Sequence, residues 1–255
     1  MHTLRVLLVC LLLSAGASAE TIRVAAAISL KEAVEEIAKK YEADTSDKVI
    51  FTFGSSGQLL SQITSGADVD AFISAANTQV DELTKAGLAM EGSRRIVAGN
   101  SLVLIVPADA KESPNGFDAL ADASVKKVSI GEPKTVPAGQ YAMQVLTRLN
   151  LADKLKDRLV YGANVRQVLA YVERAEVSAG IVYSTDAKES GDKVKIVATA
   201  DAQTHEPIVY PAVIIKTSKK QDAAKHFLDY LATEKAKAVL SDKGFIAGGA
   251  IHAGN

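Results

Sequence analysis

Five short stretches of this chain place hydroxyls, glycines and helix-starting residues where a β-like run gives way to a helical one. They are "AAAISLKEA" (25–33), "FGSSGQL" (53–59), "TVPAGQYA" (135–142), "GANVRQVL" (162–169) and "GIVYSTDAK" (180–188). Ser29 precedes a helical stripe and Glu32 follows three residues later, the spacing of a capping box. Ser55 or Ser56 is placed to cap the run Leu59, Leu60, Ile63. Pro137 suits a first helical position, where its missing N–H would find no partner anyway. Asn164 stands as a cap with Gln167 three residues on, and Tyr183 ends a strand before Ser184, Thr185 and Asp186 restart the chain. Taken singly, each stretch is an ordinary helix cap. Gathered around one cleft, they would bring free N–H groups, two or three hydroxyls and several positive dipole ends together. Such a cleft holds an anion without a single lysine.

Basic side chains are sparse at these junctions: Lys31, Lys134 and Arg166 are the nearest. Arg166 falls in a first helical turn, where it can touch a ligand or form a structural ion pair across the cleft. Other chemistry lacks its residues. There is no G-x-x-x-x-G-K-[ST], no G-x-G-x-x-G and no H-E-x-x-H. Two S-x-x-K spacings, from Ser124 and Ser190, come without the partners of a serine acylase. His2 lies in an N-terminal apolar segment, His205 in a polar loop, His226 off the stripe of its helix and His252 in a glycine-rich tail. With no nucleophile–base pair and no cofactor fingerprint, the chain reads as a binder and not an enzyme.

The elements that must position these junctions alternate along the chain. Strands are expected over 21–27, 48–53, 70–75, 101–107, 127–130, 158–162, 179–184, 193–199 and 208–216. Between them run helical stripes such as Leu30, Ala33, Val34, Ile37, Ala38 and Tyr41. The alternation implies an α/β fold of parallel sheets covered by helices, with ligands beyond the carboxyl ends of the strands. Residues 1–19 have the form of an export signal: Arg5, an apolar run from Val6 to Leu13, and the A-x-A site Ala17-Ser18-Ala19. That run is shorter than the roughly 20 residues a spanning helix needs. The one cysteine, Cys10, lies within it, so the mature chain is expected to be soluble, exported and free of thiols. Without Arg5 the basic residues number 28 against 30 acidic ones, a formal charge of −2. No basic patch calls for nucleic acid.

The stretches "AAAISL" (25–30), "FGSSGQL" (53–59), "GADVDAFISAA" (66–76) and "GNSLVLIVP" (99–107) come in a definite order. They are followed by "GEPKTVPAGQYA" (131–142), "ANVRQVLAYVERAE" (163–176), "GIVYSTDA" (180–187) and "KGF" (243–245). In this order and spacing the chain resembles the periplasmic molybdate-binding proteins of ABC importers (the ModA type), over essentially all of its length after residue 19. The resemblance implies that Ser29 and Ser56 give hydroxyls to the oxyanion, with Ser55 beside Ser56. It implies backbone amides from Ala138 and Val165, a hydroxyl from Tyr183, and Ser55 and Arg166 in supporting places. Molybdenum would be bound only as its oxyanion, and no cofactor is implied. Ile28 stands where alanine is usual, Glu132 where aspartate is common, and Gly57 where a third serine can occur.

The same resemblance implies a two-lobed type II periplasmic binding protein fold, each lobe a mostly parallel sheet flanked by helices, with the ligand cleft between lobes. Residues 20–100 and 211–255 would form one lobe and 101–210 the other, with crossings in "VAGNS" and "VYPAV". The implied function is high-affinity binding of molybdate, and of tungstate, in the periplasm and delivery by a monomer to an inner-membrane ABC permease. The alternatives are another tetrahedral oxyanion such as sulfate, a ferric ion, or less readily an enzyme on the same fold. Molybdate carries acceptor oxygens only, so a site of donors alone satisfies it. Hydrogen phosphate would bring a proton with nowhere to go, and a mismatched buried polar group costs about 1–3 kcal/mol.

Overall fold

The structure is a computed structural model that describes residues 19–247, so the leader read over residues 1–19 falls almost wholly outside the described residues, as does His252. The first part of the chain runs β1 (Thr21–Ala27), α1 (Lys31–Thr45), β2 (Lys48–Gly54), α2 (Ser56–Thr64), β3 (Ala71–Ile73), α3 (Asn77–Lys85) and β4 (Arg95–Gly99). The middle part runs β5 (Leu102–Pro107), β6 (Val128–Gly131), α4 (Pro137–Arg148), α5 (Ala152–Leu155), β7 (Leu159–Gly162), α6 (Val165–Glu173), β8 (Ala179–Tyr183), α7 (Ser184–Ser190) and β9 (Val194–Thr199). The chain then returns through β10 (Val209–Ile214), α8 (Gln221–Tyr230), α9 (Glu234–Asp242) and β11 (Ile246–Ala247).

Two sheets result. One has six strands in the order β11-β4-β10-β3-β1-β2, and the other has five in the order β7-β6-β8-β5-β9. Both are mixed, with most strands of each sheet running one way, as expected, and the crossing strand running against them. β1 pairs parallel with β2 and β3, and β6 with β7 and β8, because a helix carries the chain back between them. The strands that cross between the halves arrive from the opposite direction. β10 therefore lies antiparallel to β3 and β4, and β5 antiparallel to β8 and β9. The strand β4, unassigned in the sequence, holds the far side of the β10 crossing. β11 covers the edge beyond it.

The helical stripe of α1 is buried as its spacing requires: Ala33, Val34, Ile37, Ala38 and Tyr41 face the six-stranded sheet. A Val or Ile buried in this way stabilises by about 1.5–3 kcal/mol relative to exposure. The helix ends where Ser46 takes a left-handed conformation, φ 70°. Tyr41 then packs edge-on against Phe227 of α8, with ring centroids 5.3 Å apart. This ties the returning part of the chain onto the first part.

A close helix–strand approach positions the "VPAG" turn. The backbone of Gly139 in α4 lies so near Gly131, the last residue of β6, that a Cβ on Gly139 would overlap the Gly131 carbonyl. The obstacle is backbone and cannot swing aside. Gly139→Ala is therefore expected to destabilise the fold by about 1–3 kcal/mol or more, read as a lower urea midpoint at unchanged slope.

Candidate functional site

The carboxyl ends of β1, β2, β3, β6, β7 and β8 converge on a narrow cavity of about 10 Å³ between the two sheets. The six-stranded half contributes Ala27–Ser29, Gly54–Ser56 and Ala75 to its walls. The five-stranded half contributes Val136–Ala138, Val165 and Tyr183. All five residues expected to hold an oxyanion, Ser29, Ser56, Ala138, Val165 and Tyr183, therefore line one cavity. Ser55 joins them, and no wall residue carries a charged side chain.

Each arrives by a different local route. Ser29 sits in a 3-10 turn, Ile28–Leu30, and caps nothing. The capping box read into Ser29 and Glu32 does not form, because both side chains have tertiary partners. Ser29 Oγ lies 3.1 Å from Tyr210 Oη, and Glu32 reaches Arg166. Ser55 is the true cap of α2, accepting from Gln58 N at 3.4 Å. That frees Ser56, fully buried at the first helical position, to accept from Ala75 N at 3.0 Å. Pro137 opens α4 as expected, so Ala138 is its second residue. Asn164 caps α6 by accepting from Gln167 N at 3.0 Å, while Gln167 Oε1 accepts from Ala163 N. Val165 is then the first residue of that helix. The amides of Ala138 and Val165 have no intrahelical acceptor at these positions, and both residues line the cavity. Tyr183 Oη donates to the Ala75 carbonyl at 3.4 Å, a long bond between the halves. Burial holds its phenol proton firmly, well above the ordinary tyrosine pKa, so Tyr183 stays a donor.

Arg166 does not line the cavity. It forms the structural ion pair, bridging Glu32 of the six-stranded half at 2.6 Å and buried Asp186 of its own half at 2.9 Å. The Asp186 contact is a charge contact without hydrogen-bond alignment, since Arg166 Nε and both Asp186 oxygens lack aligned partners. A second clasp joins the halves at Gly57, whose N–H donates to the Thr135 carbonyl at 2.9 Å. A Cβ at Gly57 would stand 2.7 Å from Thr135 Cα and O. The glycine of "FGSSG" thus admits the opposite half of the molecule, not only a ligand.

Sequence reasoning missed Asn100, Tyr210, Ala75 and Thr135. Asn100 and Tyr210 occupy the two crossings, and polar residues in such apolar runs were the available signal. Asn100 Nδ2 donates to Tyr210 Oη at 3.1 Å and to Thr185 Oγ1 at 2.9 Å. His205 meets the Glu206 carbonyl and the edge of Tyr141, away from the cavity, and His226 is exposed.

Burial pushes the Asp186 carboxyl up from 3.8 to about 7, with Arg166 pulling the other way. Between those values the folded chain keeps a proton that the unfolded chain has lost. The stability Asp186 contributes is therefore complete below about pH 4 and lost as pH rises through about 7. Asp186→Asn should remove this dependence. In urea unfolding, the parent is expected to lose stability relative to the variant between pH 4.5 and pH 8. An unchanged difference would show that Asp186 is already ionised at the lower pH.

The chain is 43% identical over 240 residues to the molybdate-binding protein ModA of Haemophilus influenzae, covering 91% of this chain and 92% of that one. It is 45% identical over 229 residues to YvgL of Bacillus subtilis, assigned as an ABC transporter substrate-binding lipoprotein, covering 89% and 86%. Among solved structures, the periplasmic molybdate-binding protein of Azotobacter vinelandii superposes with a TM-score of 0.79 at 28% identity, covering 88% of this chain and 98% of that one. Residues 22–246 match the profile described as bacterial extracellular solute-binding protein. This chain belongs to that family of solute-binding proteins.

Proposed function

We propose that this chain binds molybdate outside the cytoplasm and hands it to an ABC importer. One observation carries the reading: a small cavity offers hydroxyls and helix-start amides but no charged side chain and no carboxylate. A tetrahedral dianion that accepts at every oxygen fits that inventory, and each charge-assisted bond in such a place is worth about 1.5–3 kcal/mol. The oxyanion contacts are Ser29, Ser56 and Tyr183 through hydroxyls, and Ala138 and Val165 through amides, with Ser55 behind Ser56. Arg166 acts at a distance by tying the halves together. Tungstate, nearly the same size, binds the same donors. A ferric ion would need anionic ligands, and the cavity wall has none.

The names of the relatives support the same ligand, and the form of residues 1–19 supports export through a cleaved signal to the periplasm. The lobes in this reading are 20–100 with 211–255, and 101–210. Val209 and Tyr210 nevertheless already pair with β4 of the six-stranded sheet. The ligand draws the lobes together by binding both, and a membrane permease reads the closed monomer.

A thermal-shift panel of molybdate, tungstate, sulfate, phosphate and ferric ion tests this. At a hundredfold excess over its dissociation constant, molybdate should stabilise by about 2.7 kcal/mol. Equal stabilisation by micromolar sulfate would overturn the assignment. Ser29→Ala and Tyr183→Phe should each weaken molybdate binding roughly 10- to 150-fold in calorimetry, the equivalent of one charged hydrogen bond. The mapping fails if both bind like the parent. Gly57→Ala should weaken molybdate binding, since a Cβ there would meet the Thr135 backbone where the halves join. With molybdate present, solution scattering should give it a larger radius of gyration than the parent, because the added methyl meets Thr135 before closure is complete.

A further inference from the structure

We propose that Asn100 and Tyr210 are positioning residues that orient the Ser29 hydroxyl, so that Ser29 offers the ligand its proton. The inference deepens the oxyanion reading and rests on it.

The direction follows from counting protons. Asn100 Oδ1 is identified by an unambiguous donor, the Ser101 backbone N–H at 2.9 Å, and it also accepts from Ser184 Oγ at 3.0 Å. The other terminus, Nδ2, can only donate. One of its protons goes to Thr185 Oγ1 and the other to Tyr210 Oη. Tyr210 is fully buried, and the hydrogen-bond partners of its Oη among the described residues are Asn100 Nδ2 and Ser29 Oγ. Having accepted from Asn100, Tyr210 must place its one proton on Ser29, since an unpaired buried O–H costs about 1–3 kcal/mol. Burial keeps that phenol protonated, its pKa raised above the ordinary value. Ser29 Oγ is thus already an acceptor within the protein, and its own proton is left for the cavity that it lines.

Ser56 is arranged the same way by a different donor. Its Oγ accepts from Ala75 N–H, an obligate donor, and its proton also remains for the cavity. Each hydroxyl accepts one hydrogen bond from the protein. The protein thereby leaves the protons of both Ser29 and Ser56 for the ligand. A fully ionised oxyanion, which accepts at every oxygen, is favoured over a protonated one such as hydrogen phosphate. The relay starts on α7 and passes through both crossings, so the same bonds that link the halves set the polarity of Ser29.

The test is a double-mutant cycle on the whole mature protein, with molybdate and inorganic phosphate as probes in calorimetry at pH 7 and 8. Tyr210→Phe should weaken molybdate binding about tenfold or more and narrow its preference over phosphate, because Ser29 can now turn and accept. In a Ser29→Ala background, Tyr210→Phe should change molybdate affinity by less than about twofold, since it acts through Ser29. Equal losses in both backgrounds, or parallel losses for molybdate and phosphate, would overturn the relay and leave Tyr210 a packing residue. Should Tyr210→Phe not fold, Asn100→Asp reverses the relay. Tyr210 would then donate to the new carboxylate and accept from Ser29, and molybdate binding should fall further in the Ser29 background than in Ser29→Ala. Identical falls would overturn the proposal. A parent that binds no tetrahedral oxyanion overturns the functional reading itself, which separates that failure from failure of the relay.

Discussion

The first turn of a helix carries N–H groups that no carbonyl of its own helix can reach. This molecule aims several such turns at one point. α2, α4, α6 and α7 all begin at the cavity, each directly after a strand or a short loop from one of the two sheets. The parallel arrangement of β1 with β2 and β3, and of β6 with β7 and β8, makes that convergence possible. Parallel strands must send their helices back along the sheet, so all the helix starts lie at one end. The sidedness of the sheets thereby becomes a concentration of partial positive charge.

Holding the two halves together is a separate problem, and the chain solves it with contacts that avoid the cavity. Arg166 spans from Asp186 to Glu32, Gly57 meets Thr135 through the backbone, and Lys188 Nζ reaches the Asp242 carbonyl. The ion pair at Glu32 is partly exposed, so its attraction is moderate. It orients more than it binds. The clasp at Gly57 is steric, and its geometry tolerates no side chain.

The strands and helices were legible because burial imposes a period, and α1 shows it most plainly from Leu30 to Tyr41. The cavity wall was legible as a set of helix starts, and Asn164 and Pro137 behave as their types predict. Ser29 shows where local reasoning stops. Its sequence spells a capping box, yet a tyrosine 181 positions away claims its hydroxyl and an arginine 134 positions from Glu32 claims the carboxylate. Similarly, nothing near Ser56 announces that Ala75 will donate to it. The short strands β4 and β11 escaped because they owe their conformation to β10 and to each other, not to their own pattern. Tyr210 escaped for a related reason: the register of β10 against β4 shifts between Tyr210 and Pro211, a bulge that no alternation of residues reveals.

The uncharged wall of the cavity has a consequence for letting go. A lysine or arginine beside the ligand would keep its grip in a wet cleft, and release would then need a competing charge or a proton. On the proposed reading the attraction comes from dipoles and hydroxyls, whose strength depends on a low local dielectric and on the exclusion of competing hydrogen-bond partners. Parting the halves by enough to admit a few solvent molecules weakens every contact at once. The solvent that was kept out serves as the eluant, and whatever pulls the halves apart need supply no chemistry of its own.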